Sequence, residues 1–189
     1  MVTKLEIVIT AAAIWLTMCI GCNAQTHYNI GRTATAAEIA GWNIDINREG
    51  KNLPAGSGDV AYGREVYKAQ CTACHGDNGE GGIGDRLVGG QGTLASAKPI
   101  RTVGSYWQYA TTLFDYIRRA MPLNAPQSLS SDDVYALSAY ILNINGVVPD
   151  NATLDAKSLA AIKMPNRDGF ISDPRPDVKD KPCMSNCKP

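Results

Sequence analysis

Five consecutive residues, Cys71-Thr72-Ala73-Cys74-His75, bring two thiols and an imidazole together at C-x-x-C-H spacing. This is the pattern of covalent c-type haem attachment. On one tight turn the two thiols can add across two vinyl groups as thioethers, and the histidine that follows lies beneath the ring with Nε2 offered to the iron. Other uses of paired cysteines fit less well. A thioredoxin-like redox pair belongs in a βαβ context that the flanking pattern lacks. A zinc site needs a second ligand pair, and the chain has only one other histidine, His27. A structural disulfide across two residues is rare. The expectation is one covalent haem c, with Cys71 and Cys74 as its anchors and His75 as an axial iron ligand.

A second axial ligand has to come from elsewhere. Methionine raises the haem potential and suits electron transfer. Two Met-Pro dipeptides are present, Met121-Pro122 and Met164-Pro165. Met121 follows an amphipathic segment, and Pro122 disfavours helical geometry at the residue before it, so the thioether can turn toward the iron. Filling a core is the commoner role of a methionine. Placement favours Met121 as the ligand over Met164, which lies in a proline-rich tail. His27 is the bis-histidine alternative.

Three helices are expected to position these groups. Asp59 can cap a helix running to Gln70, with Tyr62, Val66 and Ala69 on one face and Gly63 and Tyr67 beside them. A helix over Tyr109–Ala120 places Leu113, Ile117 and Met121 at i, i+4 and i+8. Ser130 and Asp133 form a capping box for a third helix, whose stripe is Val134, Leu137, Ile141 and Ile144 and which Asn145-Gly146 closes. Strand signals are weak, so the expected fold class is all-α. Between the first two helices, residues 76–92 hold eight of the 18 glycines. Such a loop either wraps closely around a partner or stays floppy. Arg101 and Trp107, ahead of the second helix, could donate to haem propionates. Arg118-Arg119 could receive an acidic partner or simply complement the helix dipole.

The chain has 189 residues, with 18 Lys+Arg against 18 Asp+Glu. Charge balance argues against a nucleic-acid binder. The 15-residue apolar run from Ile7 to Gly21 is short for a membrane span and suits a secretory signal. Residues 1–24 are therefore expected to be a signal peptide cleaved after Ala24. The alternative is lipid attachment at Cys22, the one route by which the protein would reach a membrane. Residues 25–57 read as an extended N-terminal arm, 58–148 as the haem domain and 149–189 as a proline-rich wrap.

The order helix, C-x-x-C-H, glycine loop, helix, Met-Pro, helix resembles class I cytochrome c. Within that resemblance Gly63 and Tyr67 are the small and aromatic residues that meet the last helix, at Leu137 and Tyr140. Longer stretches are similar to a narrower family: Gly41-Trp42-Asn43-Ile44-Asp45-Ile46, Arg101-Thr102-Val103-Gly104-Ser105-Tyr106-Trp107, Arg119-Ala120-Met121-Pro122 and Met164-Pro165-Asn166-Arg167-Asp168-Gly169-Phe170. That family is the c-type cytochrome subunit of Sox-type sulfane dehydrogenase and of related sulfite dehydrogenases. The resemblance implies a molybdopterin-containing dehydrogenase subunit as electron donor. It also brings Asp173-Pro174-Arg175-Pro176 and the pair Cys183 and Cys187, for which a tail-locking disulfide is expected in an oxidising compartment. Class I cytochromes often use a proline carbonyl to accept the haem-histidine Nδ1–H. The matching stretch Ile83–Gly90 has no proline and leaves that acceptor without a candidate.

These residues imply a periplasmic monohaem cytochrome c that takes single electrons from a molybdenum-dependent sulfite or sulfane dehydrogenase. Its acceptor would be a small cytochrome c or an oxidase. Two alternatives stand beside it: a free-standing electron shuttle, and a haem enzyme that oxidises thiosulfate itself. No set of residues suggests a catalytic acid, base or nucleophile.

Overall fold

The computed structural model describes residues 30–175. The expected signal segment with Cys22, His27, and the Cys183/Cys187 pair lie outside the described residues. The chain divides into two units, Met1–Asn43 and Ile44–Pro189. In the first, helix α1 (Ala36–Trp42) is closed at its start by a Thr35/Glu38 capping box and buries none of its residues. Arg32 reaches Glu38 of the same unit at 2.8 Å.

The second unit carries the expected helices within a residue of their predicted ends. Asp59 caps α2 (Val60–Gln70) by accepting from the Tyr62 N–H. A four-residue turn, α3 (Thr72–His75), follows. Helix α4 spans Ala110–Ala120, and α5 spans Ser131–Ile144 behind a complete Ser130/Asp133 capping box. Helix α5 is the hub, packing against α2, α4 and two short strands. Val134 through Leu142 are all buried, so the helix is enclosed on every side rather than along one stripe.

The all-α expectation needs a correction. Strand β1 (Ser57–Asp59) pairs antiparallel with β2 (Thr153–Asp155), and the two form a small sheet on α5. At three residues each, these strands are too short to show an alternating pattern. Helix α6 (Ala156–Ala161) follows β2. The stretch between Pro149 and Pro165 is free of proline, which lets these elements form. Leu154, Leu159 and Met164 join the same buried core as Phe114, Leu137 and Tyr67.

The buried face of α2 is the one implied by the class I resemblance, Gly63 and Tyr67 toward α5, and not the Tyr62, Val66 and Ala69 stripe. Val60, Gly63 and Tyr67 are buried, whereas Tyr62 is exposed. Glycine is the reason. A Cβ at Gly63 would overlap the Ala136 carbonyl and lie 2.9 Å from Tyr140 Cβ. The helices therefore cross in contact at this point, and the crossing selects the face. Tyr67 then packs on Tyr140 with ring centroids 5.2 Å apart, and Phe114 on Tyr135 at 4.5 Å. Two of the aromatic pairs thus sit where the helices meet.

Candidate haem-binding site

Cys71 ends α2 and starts α3. Its N–H donates to the Tyr67 carbonyl at 2.8 Å, and its carbonyl accepts from the Cys74 and His75 N–H groups at 3.2 and 2.9 Å. Both thiols and the imidazole thus sit on a single turn. Gly76 stops that turn with φ +79°, a conformation that strains any residue bearing a Cβ. The Gly76 carbonyl accepts from the Tyr67 hydroxyl at 2.9 Å, so a fully buried tyrosine of α2 pins the exit of the turn. Burial, followed by the nearby Cys71, holds that phenol well above its ordinary range.

Cys71 is half-buried against the core and Cys74 is exposed. Burial, and secondarily the adjacent Cys74, push the Cys71 thiol up to about 11. It stays protonated at neutral pH, unlike the depressed thiols of redox C-x-x-C pairs. Among the described residues no three His, Cys, Asp or Glu side chains converge as a metal cluster, so the pair has no partners there for a zinc site.

The imidazole is oriented by the glycine loop. His75 Nδ1 lies 2.7 Å from the Asp85 carbonyl oxygen. A carbonyl can only accept, so Nδ1 carries a proton and Nε2 is the nitrogen left to bind a metal. Asp85 fills the acceptor role for which no proline was available. A backbone carbonyl has no side-chain signature, and the trace it leaves in the sequence is Gly84. A Cβ at that position would stand 2.9 Å from His75 Cε1 and 3.0 Å from Nδ1. The loop is knitted rather than floppy. Gly81 N–H donates to the His75 carbonyl, Gly84 N–H to the Cys74 carbonyl and Leu87 N–H to the Gly79 carbonyl, each at 2.8 Å.

Met121 caps the end of α4 in extended geometry, φ −118° and ψ 146°, as its proline neighbour dictates. It is half-buried and packs on the core together with Cys71, Leu87 and Trp107. Met164 is 1% exposed and is a core residue. Arg101 is exposed, with its guanidinium 5.6 Å from the Tyr106 ring centroid. Trp107 meets Tyr116 edge-on at 5.8 Å. Arg118 donates to the Ile44 carbonyl at 3.4 Å, and Arg119 pairs with Asp115, so both arginines have partners within this unit.

The residues present fit a haem c group. Two thiols and an imidazole share one turn, a glycine allows close approach to that ring, and Met121 is among the partly buried apolar residues packed on the same core. Comparison with known proteins agrees. The model of the family described as cytochrome C oxidase, cbb3-type, subunit III matches residues 58–141. A chain of the crystal structure of the sulfane dehydrogenase SoxCD from Paracoccus pantotrophus is similar, with TM-score 0.73 and 39% identity over 84% of this chain and 81% of that one. The thiosulfate dehydrogenase of Stutzerimonas stutzeri (strain A1501) is 32% identical over 90 residues. That match takes in 47% of this chain and only 28% of the Stutzerimonas protein.

Proposed function

Because the chain belongs to the c-type cytochromes, in the family represented in sulfane dehydrogenase SoxCD, we propose that it is a periplasmic electron-transfer subunit. In this reading it holds one covalent haem c and serves a molybdenum-dependent sulfite or sulfane dehydrogenase. The observation that carries the reading is the His75 Nδ1–Asp85 hydrogen bond of 2.7 Å, made from the C-x-x-C-H turn itself.

Haem c, when bound, supplies a one-electron iron couple. The chain does the rest. Cys71 and Cys74 would anchor the group as thioethers, and His75 would give Nε2 to the iron. Met121 would offer its thioether to the iron, a ligand type that raises the potential into a range useful for electron transfer. Arg101 and Trp107 would take the propionates, one by charge-assisted hydrogen bonds and the other through the indole N–H. The core beside Cys71 keeps water from that side, and exposed Cys74 marks the edge at which electrons enter and leave. The protein moves no proton and breaks no bond in substrate.

Co-production with a molybdopterin subunit in a host that matures c-type cytochromes tests this. The expected result is a stable complex whose haem is reduced when sulfite or thiosulfate is added. A lone monomer that the dehydrogenase cannot reduce would contradict it.

The likeness to thiosulfate dehydrogenase favours a second reading, in which the chain oxidises thiosulfate at its own haem. That needs a displaceable axial position. Turnover of thiosulfate by the isolated holoprotein would establish it.

A further inference from the structure

The Asp85 carbonyl lies on an exposed stretch of the glycine loop, where water could compete for it or the loop could turn it away. Its hold on His75 depends on what fixes the loop. We propose that Asn145 is a positioning residue that keeps the Asp85 carbonyl on His75 and so tunes the reduction potential, with Arg86 acting in the same sense from the exposed side. This rests on reading His75 as an iron ligand.

Asn145 caps α5 and is 8% exposed. Its Nδ2 donates to the Ile141 carbonyl of its own helix at 2.9 Å and across the fold to the Leu87 carbonyl at 3.1 Å. Both partners only accept, so the amide cannot be turned over. Its Oδ1 is left buried without a partner. A buried acceptor in that state carries a desolvation penalty that no hydrogen bond offsets. An apolar residue would avoid the cost, so tying down Leu87 is what the asparagine contributes. Room for the amide comes from Gly104, where a Cβ would lie 2.7 Å from Asn145 Cγ. Gln91 Nε2 donates to the Asn145 carbonyl at 3.3 Å and binds the far side of the loop to the same point. On the other flank Arg86 Nε donates to the Glu80 carbonyl at 3.1 Å. Residues 86 and 87, which follow Asp85 directly, are therefore each anchored by a side-chain hydrogen bond.

A firm Nδ1–H···O bond makes the imidazole a better electron donor to the metal and favours the oxidised state. Loosening it raises the potential. Asn145→Leu holoprotein should show an oxidised-to-reduced ratio shifted about threefold toward reduced at the wild-type midpoint, roughly 28 mV at 59 mV per decade for one electron. Arg86→Ala, an exposed substitution that leaves the core intact, should shift the ratio in the same direction by less. In both, the His75 Nδ1 proton followed by NMR in the reduced protein should exchange faster with solvent. Leu159→Ala weakens the core away from the loop and should lower the unfolding midpoint with the ratio unmoved.

An unchanged ratio and unchanged proton exchange in Asn145→Leu overturn the proposal, as does an equal shift in Leu159→Ala. Should Asn145→Leu fail to fold, Arg86→Ala decides alone by the same two readouts. Failure to attach haem, or ligation unaltered by His75→Ala, would sink the reading of the site and this inference together. Haem held through His75 with the ratio unmoved sinks only the inference.

Discussion

The two Met-Pro methionines show how identical local chemistry acquires different roles. Pro122 and Pro165 act alike on the residue before them, but Met121 ends a helix at the border of the core while Met164 is sealed inside it. Met164→Ala should therefore cost about 2–5 kcal/mol in denaturant unfolding, with the axial-ligand spectrum unchanged. Tyr67→Phe keeps the ring against Tyr140 and removes only the hydroxyl that the Gly76 carbonyl accepts. It should cost about 1 kcal/mol, read from the same titration. Cys71, Cys74 and His75 were legible in the sequence as a candidate site, because the covalent attachment and ligation proposed for them would demand particular side chains at fixed spacing. The extended geometry of Met121 was legible for a similar reason, since a proline ring restricts its neighbour sterically. Asp85 was not legible. Every residue has a carbonyl, and which one faces His75 is decided by the path of the loop.

At the scale of elements, caps and breakers located the helices and tertiary contact chose their faces. Asp59, Ser130 and Asn145-Gly146 marked ends that the structure reproduces. The face of α2 was set instead by where Gly63 lets α5 come close. Gly63→Ala should accordingly destabilise the fold by about 1–3 kcal/mol as overpacking. Helix propensity alone would give a gain of about 1 kcal/mol, so the sign of the change in unfolding free energy separates the two effects. The β1–β2 pairing escaped the sequence because a three-residue strand has no period to detect. The start of α5 carries a pH-dependent contribution. Partial burial works against ionising Asp133, but hydrogen bonds from Tyr62 and Ser130 outweigh it and hold the carboxyl below its usual value. A depressed folded value means that the contribution is complete above the unfolded value of about 3.9 and fades as pH falls through the folded one. The stability gap between wild type and Asp133→Asn should be constant near neutrality and should close in acid, as measured by thermal unfolding against pH.

At the scale of the whole molecule, 18 basic and 18 acidic residues leave no net charge to steer a partner. An electron carrier built this way relies on shape and short-range contacts for docking. Its association rate with a dehydrogenase subunit should change by less than about threefold between low and physiological ionic strength, against the roughly 10–10³-fold enhancements of charge-steered pairs. Stopped-flow reduction at several salt concentrations measures this. The few aromatic residues and the dense glycine loop make physical sense if a prosthetic group completes the interior, as proposed, between the C-x-x-C-H turn and Met121 at the end of α4. Axial ligation tests that central claim most directly. In the oxidised holoprotein, the near-infrared band of methionine-ligated haem should be present in wild type, retained in Met164→Ala and lost in Met121→Ala. A band that survives in Met121→Ala would contradict the account.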